Sequence, residues 1–428
     1  MSFEETYILK EEHHYLLDKI EKLKGVLFLT GKAGTGKTTM LRIIQRLLDR
    51  NLIILAPTGI AAVQIKGQTI HSFFKIAPNL VSTQDYKKIP EKMLAKIDLI
   101  VIDEISMVRS DLLDHIDKIL KISTRSSEAF GGIPMLWIGD LYQLPPVVNK
   151  EEREIFSKQY VTPYFFGAMV FQQLKDFEMI ELNQIFRQKD PYFIRLLNQI
   201  RNGDIDYEEL EELNSILVKN NSQNEPEDLM ITICATNATA NAINIKRLHQ
   251  IESEAVFYTA KVTGSVLATQ YPAEQFITLK KGAQILFTRN DPAKRFVNGS
   301  LGIIEELKAD SIVVVMEKSG EQIEVQYMLW EIIKYTLDSS LDQIKTEVIG
   351  TFSQLPIKLG WAITIHKSQG QTFDRVNIDL GFGAFEKGQT YVAMSRCRTM
   401  EGIRLQNRLK FTDIQCDDAV IEFMRKFN

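Results

Sequence analysis

The sequence predicts an α/β protein built from two doubly wound parallel-sheet units, and three observations carry the prediction. First, short β-rich apolar runs recur at GVLFLTG (25–31), LIILAP (52–57), LIVIDE (99–104) and MLWIGD (135–140), each bounded by Gly, Pro or an acid. Runs that are apolar at every residue suit strands covered on both faces, as in parallel sheets. Second, TTMLRIIQRLLDR lies between the first two runs, with Met40, Ile43, Ile44 and Leu47 at helical spacing. Strand, amphipathic helix and strand in alternation imply helices layered on a sheet. Third, IELNQIFRQ (180–188), LMITICATN (229–237) and RVNIDLG (375–381) read as the strands of a second such unit, the first of them opening it. The expected division is 1–160 for the first unit and 161–428 for the second.

Two stretches interrupt this rhythm. Residues 72–90 break the strand–helix alternation and read as an insertion in the first unit. Residues 250–352 hold LGIIEEL, SIVVVMEK and EQIEVQYML between turn-like residues, the pattern of a small antiparallel β module inserted in the second. GDIDYEELEEL (203–213) reads as a helix with a solvated acidic face.

Composition narrows the function classes. With 428 residues, 45% hydrophobic and 25% charged, the chain has ordinary globular usage, which excludes a disordered, collagen-like or fibrous protein. A net charge of -4 excludes a uniformly basic coat, so any nucleic-acid site is a local groove. Cys234, Cys397 and Cys416 are far apart in sequence and form no C-x-x-C pair, which argues against a disulfide scaffold or zinc ribbon. The six His show no metal-ligand spacing. The N-terminus lacks the apolar core of a secretory signal, and no stretch approaches the ~18 apolar residues of a membrane span. A soluble cytoplasmic protein is expected.

GKAGTGKT (31–38) fits G-x-x-x-x-G-K-[ST] without mismatch, with a strand leading in and a helix leading out. Such loops wrap backbone N–H groups around phosphate, and the helix dipole favours the anion. Gly34, Thr35, Gly36, Lys37, Thr38 and Thr39 are the candidate nucleotide-binding residues. Lys37 is expected to reach the β and γ phosphates, and the Thr38 hydroxyl to bind Mg²⁺. Asp103, at the end of LIVIDE, is the second candidate Mg²⁺ ligand, and Glu104 is the candidate general base for water. Arg187 and Arg396 are candidates for stabilising charge on the transferred phosphoryl group.

GDLYQLPPV (139–147) makes the reading specific. Following a phosphate loop and an Asp-Glu strand, it resembles the superfamily-one helicases. APTGIAA (56–62), GQTIHSFF (67–74), FGGI (130–133), IFRQ (185–188), CATNATANAIN (234–244), LKKGAQILFTRND (279–291), VNGSLGII (297–304), GWAITIHKSQGQT (360–372) and GQTYVAMSRCRT (388–399) follow in order. Together they resemble the petite integration frequency (Pif-type) DNA helicases over residues 9–405.

The resemblance implies two RecA-like lobes, with ATP and Mg²⁺ bound between them. A wedge insertion falls near 72–90, and a Src-homology-type β barrel near 250–352. It implies that Gln143 senses the γ-phosphate and that Arg187 and Arg396 act as arginine fingers. It places Thr58, Thr69 and His71 of the first lobe, and Thr364, His366 and Lys367 of the second, near single-stranded DNA. Phe73 would stack a base, with core packing as its competing reading. Where related helicases carry an adenine-reading Gln in L-x-x-E-Q, LKEEH (9–13) carries His13. The activity implied is ATP-driven 5′-to-3′ translocation on single-stranded DNA and unwinding of tailed duplex, with forks, RNA–DNA hybrids or quadruplexes as further substrates. The chain looks like a bare core of bacterial or phage type, expected as a monomer in solution with oligomerisation on DNA left open. The motor part of a RecD-like or relaxase-linked helicase, a non-translocating nucleotide switch and a single-strand binding module with a vestigial ATP site are the competing readings.

Overall fold

Consecutive apolar residues along a strand point to opposite faces, so an uninterrupted apolar run needs cover on both sides. The computed structural model, which describes residues 10–76, 86–149, 152–222, 229–338 and 343–427, has this arrangement. Its first sheet has six parallel strands in the order Gln68–Thr69, Leu52–Ala56, Leu99–Ile102, Met135–Ile138, Val26–Gly31 and Phe177–Leu182. Phe28, Ile53, Leu55, Ile100, Ile102 and Trp137 join the core on one face. Leu27, Leu29, Ile54, Val101, Leu136 and Ile138 join a separate core on the other, with helices Glu11–Glu21 and Lys37–Leu47. In the latter helix Met40, Leu41, Ile43 and Ile44 are buried, whereas Leu47, expected inside, is exposed in the last turn.

The second sheet has four parallel strands in the order Ala362–Thr364, Ile231–Cys234, Val376–Asp379 and Ile403–Leu405. Helices Pro191–Asn202, Tyr207–Ser222 and Gln389–Ser395 supply apolar side chains to its core. In the acidic helix Leu210 and Leu213 turn inward. The two sheets are RecA-like lobes.

One strand prediction is corrected. The stretch around 180–188 does not open the second sheet. Strand Phe177–Leu182 pairs in parallel with Val26–Gly31 at the edge of the first. Its half-covered residues suit an edge, and apolarity does not encode which sheet an edge strand joins. The chain also returns to the first lobe at its end. Helix Asp418–Arg425 buries Val420, Phe423 and Met424 in that core, with Phe423 stacked on Phe166 at 4.4 Å between centroids.

The inserted β module is antiparallel, as expected, and its strands run from Ala255 to Leu359. Five strands pair in the order Gln322–Gln326, Ser311–Met316, Leu301–Leu307, Gln284–Phe287 and Ile357–Leu359. They enclose a core of their own around Ile285, Phe287, Ile304, Ile312 and Val314. A long hairpin, Met328–Asp338 with Gln343–Gln354, reaches back to the first lobe. There the Ile54 N–H donates to the Tyr335 hydroxyl at 3.2 Å, and the Tyr335 N–H donates to the Gln68 side-chain oxygen at 3.3 Å. The wedge expected over 72–90 lies partly outside the described residues. Of its described residues, Phe74, Ile76 and Ile89 pack into the first core, as do Met93 and Leu94 of the helix Glu91–Leu94 that follows. All three cysteines are free, and no described helix is long and apolar enough to cross a membrane.

Candidate active site between the lobes

The phosphate loop joins Val26–Gly31 to the helix Lys37–Leu47. Gly34 and Gly36 have φ of +83° and +87°, a left-handed region open to glycine at little cost. A Cβ on Gly34 would also come 2.6 Å from the Cβ of Arg187, so the loop and the IFRQ segment are packed backbone against side chain. The Lys37 ammonium is enclosed and donates to the carbonyls of Gly31 at 2.6 Å and Lys32 at 3.1 Å. Burial lowers its pKa, against the pull of Asp140 and Glu104. The Thr35 hydroxyl donates to the Lys32 carbonyl at 2.9 Å. Thr38 and Thr39 are exposed on the first turn.

Asp103 and Glu104 follow the strand Leu99–Ile102. Asp103 is 7% exposed, and burial, with neighbouring Glu104 adding to it, pushes its pKa up to about 7. Burial also raises that of Glu104, against the pull of Lys37 and Arg396. Glu104 is held at φ 51°, a left-handed conformation unusual for a residue with a Cβ.

The arginines close the cleft from the other side. Arg187 donates to the Ser395 carbonyl at 3.0 Å. Arg396 follows the helix Gln389–Ser395, is 2% exposed, and donates to the Val392 carbonyl at 3.0 Å and the Ser395 hydroxyl at 2.9 Å. Burial presses both guanidinium pKa values down, that of Arg187 to about 9 with Arg396 contributing. Among the described residues, Lys37, Arg187 and Arg396 have no ion-pair partner. Three cations without a direct ion-pair partner fit a polyphosphate, whose oxygens would give them one. The exposed Thr38 hydroxyl and the Asp103 carboxylate are hard oxygen donors that fit Mg²⁺.

Gln143 joins the two halves. Its amide nitrogen donates to Asp140 at 3.1 Å, and its oxygen accepts from Gln369 of the TIHKSQGQT stretch at 3.4 Å. Around it stand residues the sequence did not single out. Arg201 reaches Asp140 and Glu181 at 3.4 Å each and lies 3.8 Å above the Tyr142 ring. The Gln188 amide donates to the Ser395 and Cys397 carbonyls at 3.1 and 2.8 Å. The Tyr391 hydroxyl accepts from the Ala33 N–H of the phosphate loop at 2.8 Å. Asp140, Gln188 and Tyr391 lie inside quoted motifs and were findable there. Arg201, one cation on an amphipathic helix, carried no signal.

The candidate DNA residues separate. Thr58, Thr69 and Thr364 are helix N-caps, accepting from the backbone N–H of Ala61, Ser72 and Lys367 respectively at 3.2–3.3 Å. His71 is half-buried, and burial lowers its pKa. His366 has Nε2 3.6 Å from a Glu386 carboxylate oxygen. Lys367 and Thr364 line a cleft of about 410 Å³ with Lys358, whose pKa burial lowers to about 8. Phe73 is a correction. It is 8% exposed and packs edge-on against Phe74 at 4.9 Å and Tyr335 at 6.1 Å, so apolar packing between lobe and hairpin has taken its ring. His13 uses Nδ1 to accept the Lys10 N–H at 3.0 Å, capping the helix Glu11–Glu21.

A phosphate loop, an acid pair and arginines from an adjoining RecA-like lobe define a two-lobed P-loop core. Residues 8–211 match the family model of PIF1-like helicases, and the chain belongs to that family. It is 30% identical to the ATP-dependent DNA helicase Pif1 of Bdellovibrio bacteriovorus over 98% of this chain and 92% of that one. It is 31% identical to the ATP-dependent DNA helicase PIF1 of Danio rerio over 93% of this chain, and spans 61% of that relative's length. Among solved structures, Bacteroides sp Pif1 in complex with ADP-AlF4 superposes with a TM-score of 0.89 at 38% identity, covering 99% of this chain and 97% of that one. Bacteroides Pif1 bound to ssDNA superposes with a TM-score of 0.70 at 39% identity, covering 98% and 97%.

Proposed function

We propose that this protein is an ATP-driven DNA helicase that translocates 5′ to 3′ on single-stranded DNA and unwinds tailed duplex. The observation that carries the reading is the pair of guanidinium groups at the cleft, buried Arg396 and half-buried Arg187, with no direct ion-pair partner among the described residues. Relatives named ATP-dependent DNA helicase, and the Bacteroides Pif1 complex with ssDNA, support DNA as the partner. The 5′-to-3′ direction rests on the family resemblance.

In this reading Lys37 exchanges its two carbonyl acceptors for phosphate oxygens. Glu104 accepts the proton of the attacking water. Arg187 and Arg396 stabilise the charge that develops on the γ-phosphoryl group. The Thr38 hydroxyl and Asp103 carboxylate hold Mg²⁺, which neutralises phosphate charge when bound. Gln143, bonded to Gln369, carries the state of the γ-phosphate to the TIHKSQGQT stretch, where Thr364, His366 and Lys367 face DNA. Thr58, Thr69 and His71 serve the first lobe, and the N-termini of the helices capped by the threonines suit phosphate contacts, which carry no sequence information. Because one chain supplies both sides of the cleft, a monomer suffices for hydrolysis. We place the first lobe at residues 10–182 with the C-terminal helix, and the second between them.

The test is ATP hydrolysis with and without a single-stranded DNA oligomer, at low salt with Mg²⁺. Lys37→Ala is expected to abolish hydrolysis and leave DNA affinity largely intact. Strong stimulation by DNA, followed by unwinding of 5′-tailed but not 3′-tailed duplex, is the expected result. A DNA-indifferent rate would instead identify a nucleotide switch.

A further inference from the structure

A cation of the second lobe is buried among acids of the first. Arg201, on the helix Pro191–Asn202, is 6% exposed. Its Nη2 stands 3.4 Å from Oδ1 of Asp140 and 3.4 Å from Oε1 of Glu181, and its guanidinium lies 3.8 Å from the centroid of the Tyr142 ring. Asp140 and Tyr142 follow the interior strand Met135–Ile138, and Glu181 belongs to the edge strand Phe177–Leu182, so this ion bridge crosses between the lobes. Burial works against the charge of Arg201, yet Asp140, Tyr391 and Glu181 together hold its pKa above the ordinary value.

Asp140 is fully buried, and Arg201 is its one ion-pair partner among the described residues. Its Oδ1 also accepts the Tyr142 N–H at 3.2 Å, and its Oδ2 accepts from Nε2 of Gln143 at 3.1 Å. The Gln143 oxygen accepts from Gln369 at 3.4 Å. An ionised carboxylate only accepts, so it selects the nitrogen end of the Gln143 amide and leaves the oxygen end to Gln369. The second N–H of that nitrogen has no partner among the described residues and suits an anionic phosphate oxygen. Without Arg201, Asp140 would be a buried charge with no paired cation. It would then take up a proton, or turn toward Lys37, whose lowering by burial it already opposes. A protonated carboxyl donates as well as accepts, and a carboxylate turned to Lys37 has left Gln143. Either way nothing fixes the amide.

We propose that Arg201 is a positioning residue for ATP hydrolysis: through Asp140 it fixes the Gln143 amide across the lobe interface, and so sets the turnover of bound ATP rather than its affinity. A planar guanidinium lying on Tyr142 between two carboxylates suits this better than an ammonium, a compact and more strongly hydrated charge. The proposal rests on the hydrolytic reading of the cleft and on Gln143 as the γ-phosphate sensor. Its test measures kcat and KM for ATP with single-stranded DNA present, and the affinity of fluorescent N-methylanthraniloyl-ADP without DNA. The variants are Arg201→Met, Arg201→Lys, Gln143→Ala, and Arg201→Met combined with Gln143→Ala, with melting curves to establish that each is folded.

Arg201→Met is expected to lower kcat by about tenfold to a hundredfold, with KM and N-methylanthraniloyl-ADP affinity within about threefold of wild type. Arg201→Lys, which keeps the charge, is expected to fall between the two. In the Gln143→Ala background no amide is left to position, and Arg201→Met is expected to change kcat there by less than about twofold. Equal fold-losses in both backgrounds would make Arg201 a strut between the lobes and overturn the proposal. A wild-type kcat in Arg201→Met, or a nucleotide affinity that falls in step with kcat, would overturn it too. If Arg201→Met does not fold, Asp140→Asn combined with Arg201→Gln leaves no fully buried charge unpaired and carries the same comparison. A wild type that hydrolyses no ATP overturns the hydrolytic reading and the proposal with it, whereas equal losses in an active enzyme overturn the proposal alone.

Discussion

The Tyr391 hydroxyl accepts a hydrogen bond of 2.8 Å from the backbone N–H of Ala33, so a helix of the second lobe touches the phosphate loop of the first directly. Tyr391 is 3% exposed and Ala33 6%, so water has little access to the pair. Together with Gln143–Gln369, it gives the two lobes polar contact beside the nucleotide site.

Tyr391→Phe keeps the ring and removes the acceptor. A buried N–H left without a partner costs about 1–3 kcal/mol. The nucleotide-free variant is expected to lose stability in that range in urea unfolding. An unchanged midpoint would show that the bond contributes nothing in solution.

Arg396→Met tests the buried cation of the cleft. Burial lowers its guanidinium pKa, against the pull of Tyr391, Glu104 and Asp140. The variant is expected to melt at a higher temperature without nucleotide, and its ATP turnover to fall by ~10³–10⁵, the range of arginine fingers elsewhere. A near-normal rate would remove Arg396 from the chemistry.

His115 predicts a pH dependence. It is 9% exposed, its Nδ1 is bonded to the Tyr86 hydroxyl, and burial lowers its pKa, against the pull of Asp111. A folded value below the ordinary ~6.5 means that, as pH falls, the unfolded chain takes up the proton first. The stabilisation is therefore fully present above ~6.5 and is lost as pH falls toward the folded value. Thermal melts at pH about 7.5 and about 5.5 are expected to show a smaller loss for His115→Asn than for wild type. Equal losses would exclude His115 as the cause.

Phe73 separates a core role from a DNA role. Phe73→Ala is expected to cost about 3–5 kcal/mol, and Phe73→Leu less, with DNA affinity of the leucine variant near wild type. A leucine variant that melts normally but binds DNA weakly would restore the stacking role.

Much of the phosphate chemistry was legible because it is local. Gly34, Gly36, Lys37 and Thr38 are neighbours in sequence, and the turn they make dictates where the N–H groups and the ammonium lie. Asp103 and Glu104 end a strand whose unbroken apolarity announces a central position. The same pattern identified the other central strands, since only cover on both faces calls for such runs.

Other features were decided only by tertiary structure. Strand Phe177–Leu182 reads the same whether it edges the first sheet or opens the second, and only its register with Val26–Gly31 places it. Phe73 looks like a platform until Tyr335, from a hairpin over 250 residues away in sequence, covers it. Arg201 is an unremarkable helical cation until folding sets it over Tyr142 and beside Asp140. The sequence by itself determined the phosphate loop, the acid pair and the two-lobed α/β plan, because turn geometry and apolar periodicity act over a few residues. The cross-cleft partners, the edge strand and the covered aromatic depend on contacts between distant segments, and no local preference encodes which segments meet.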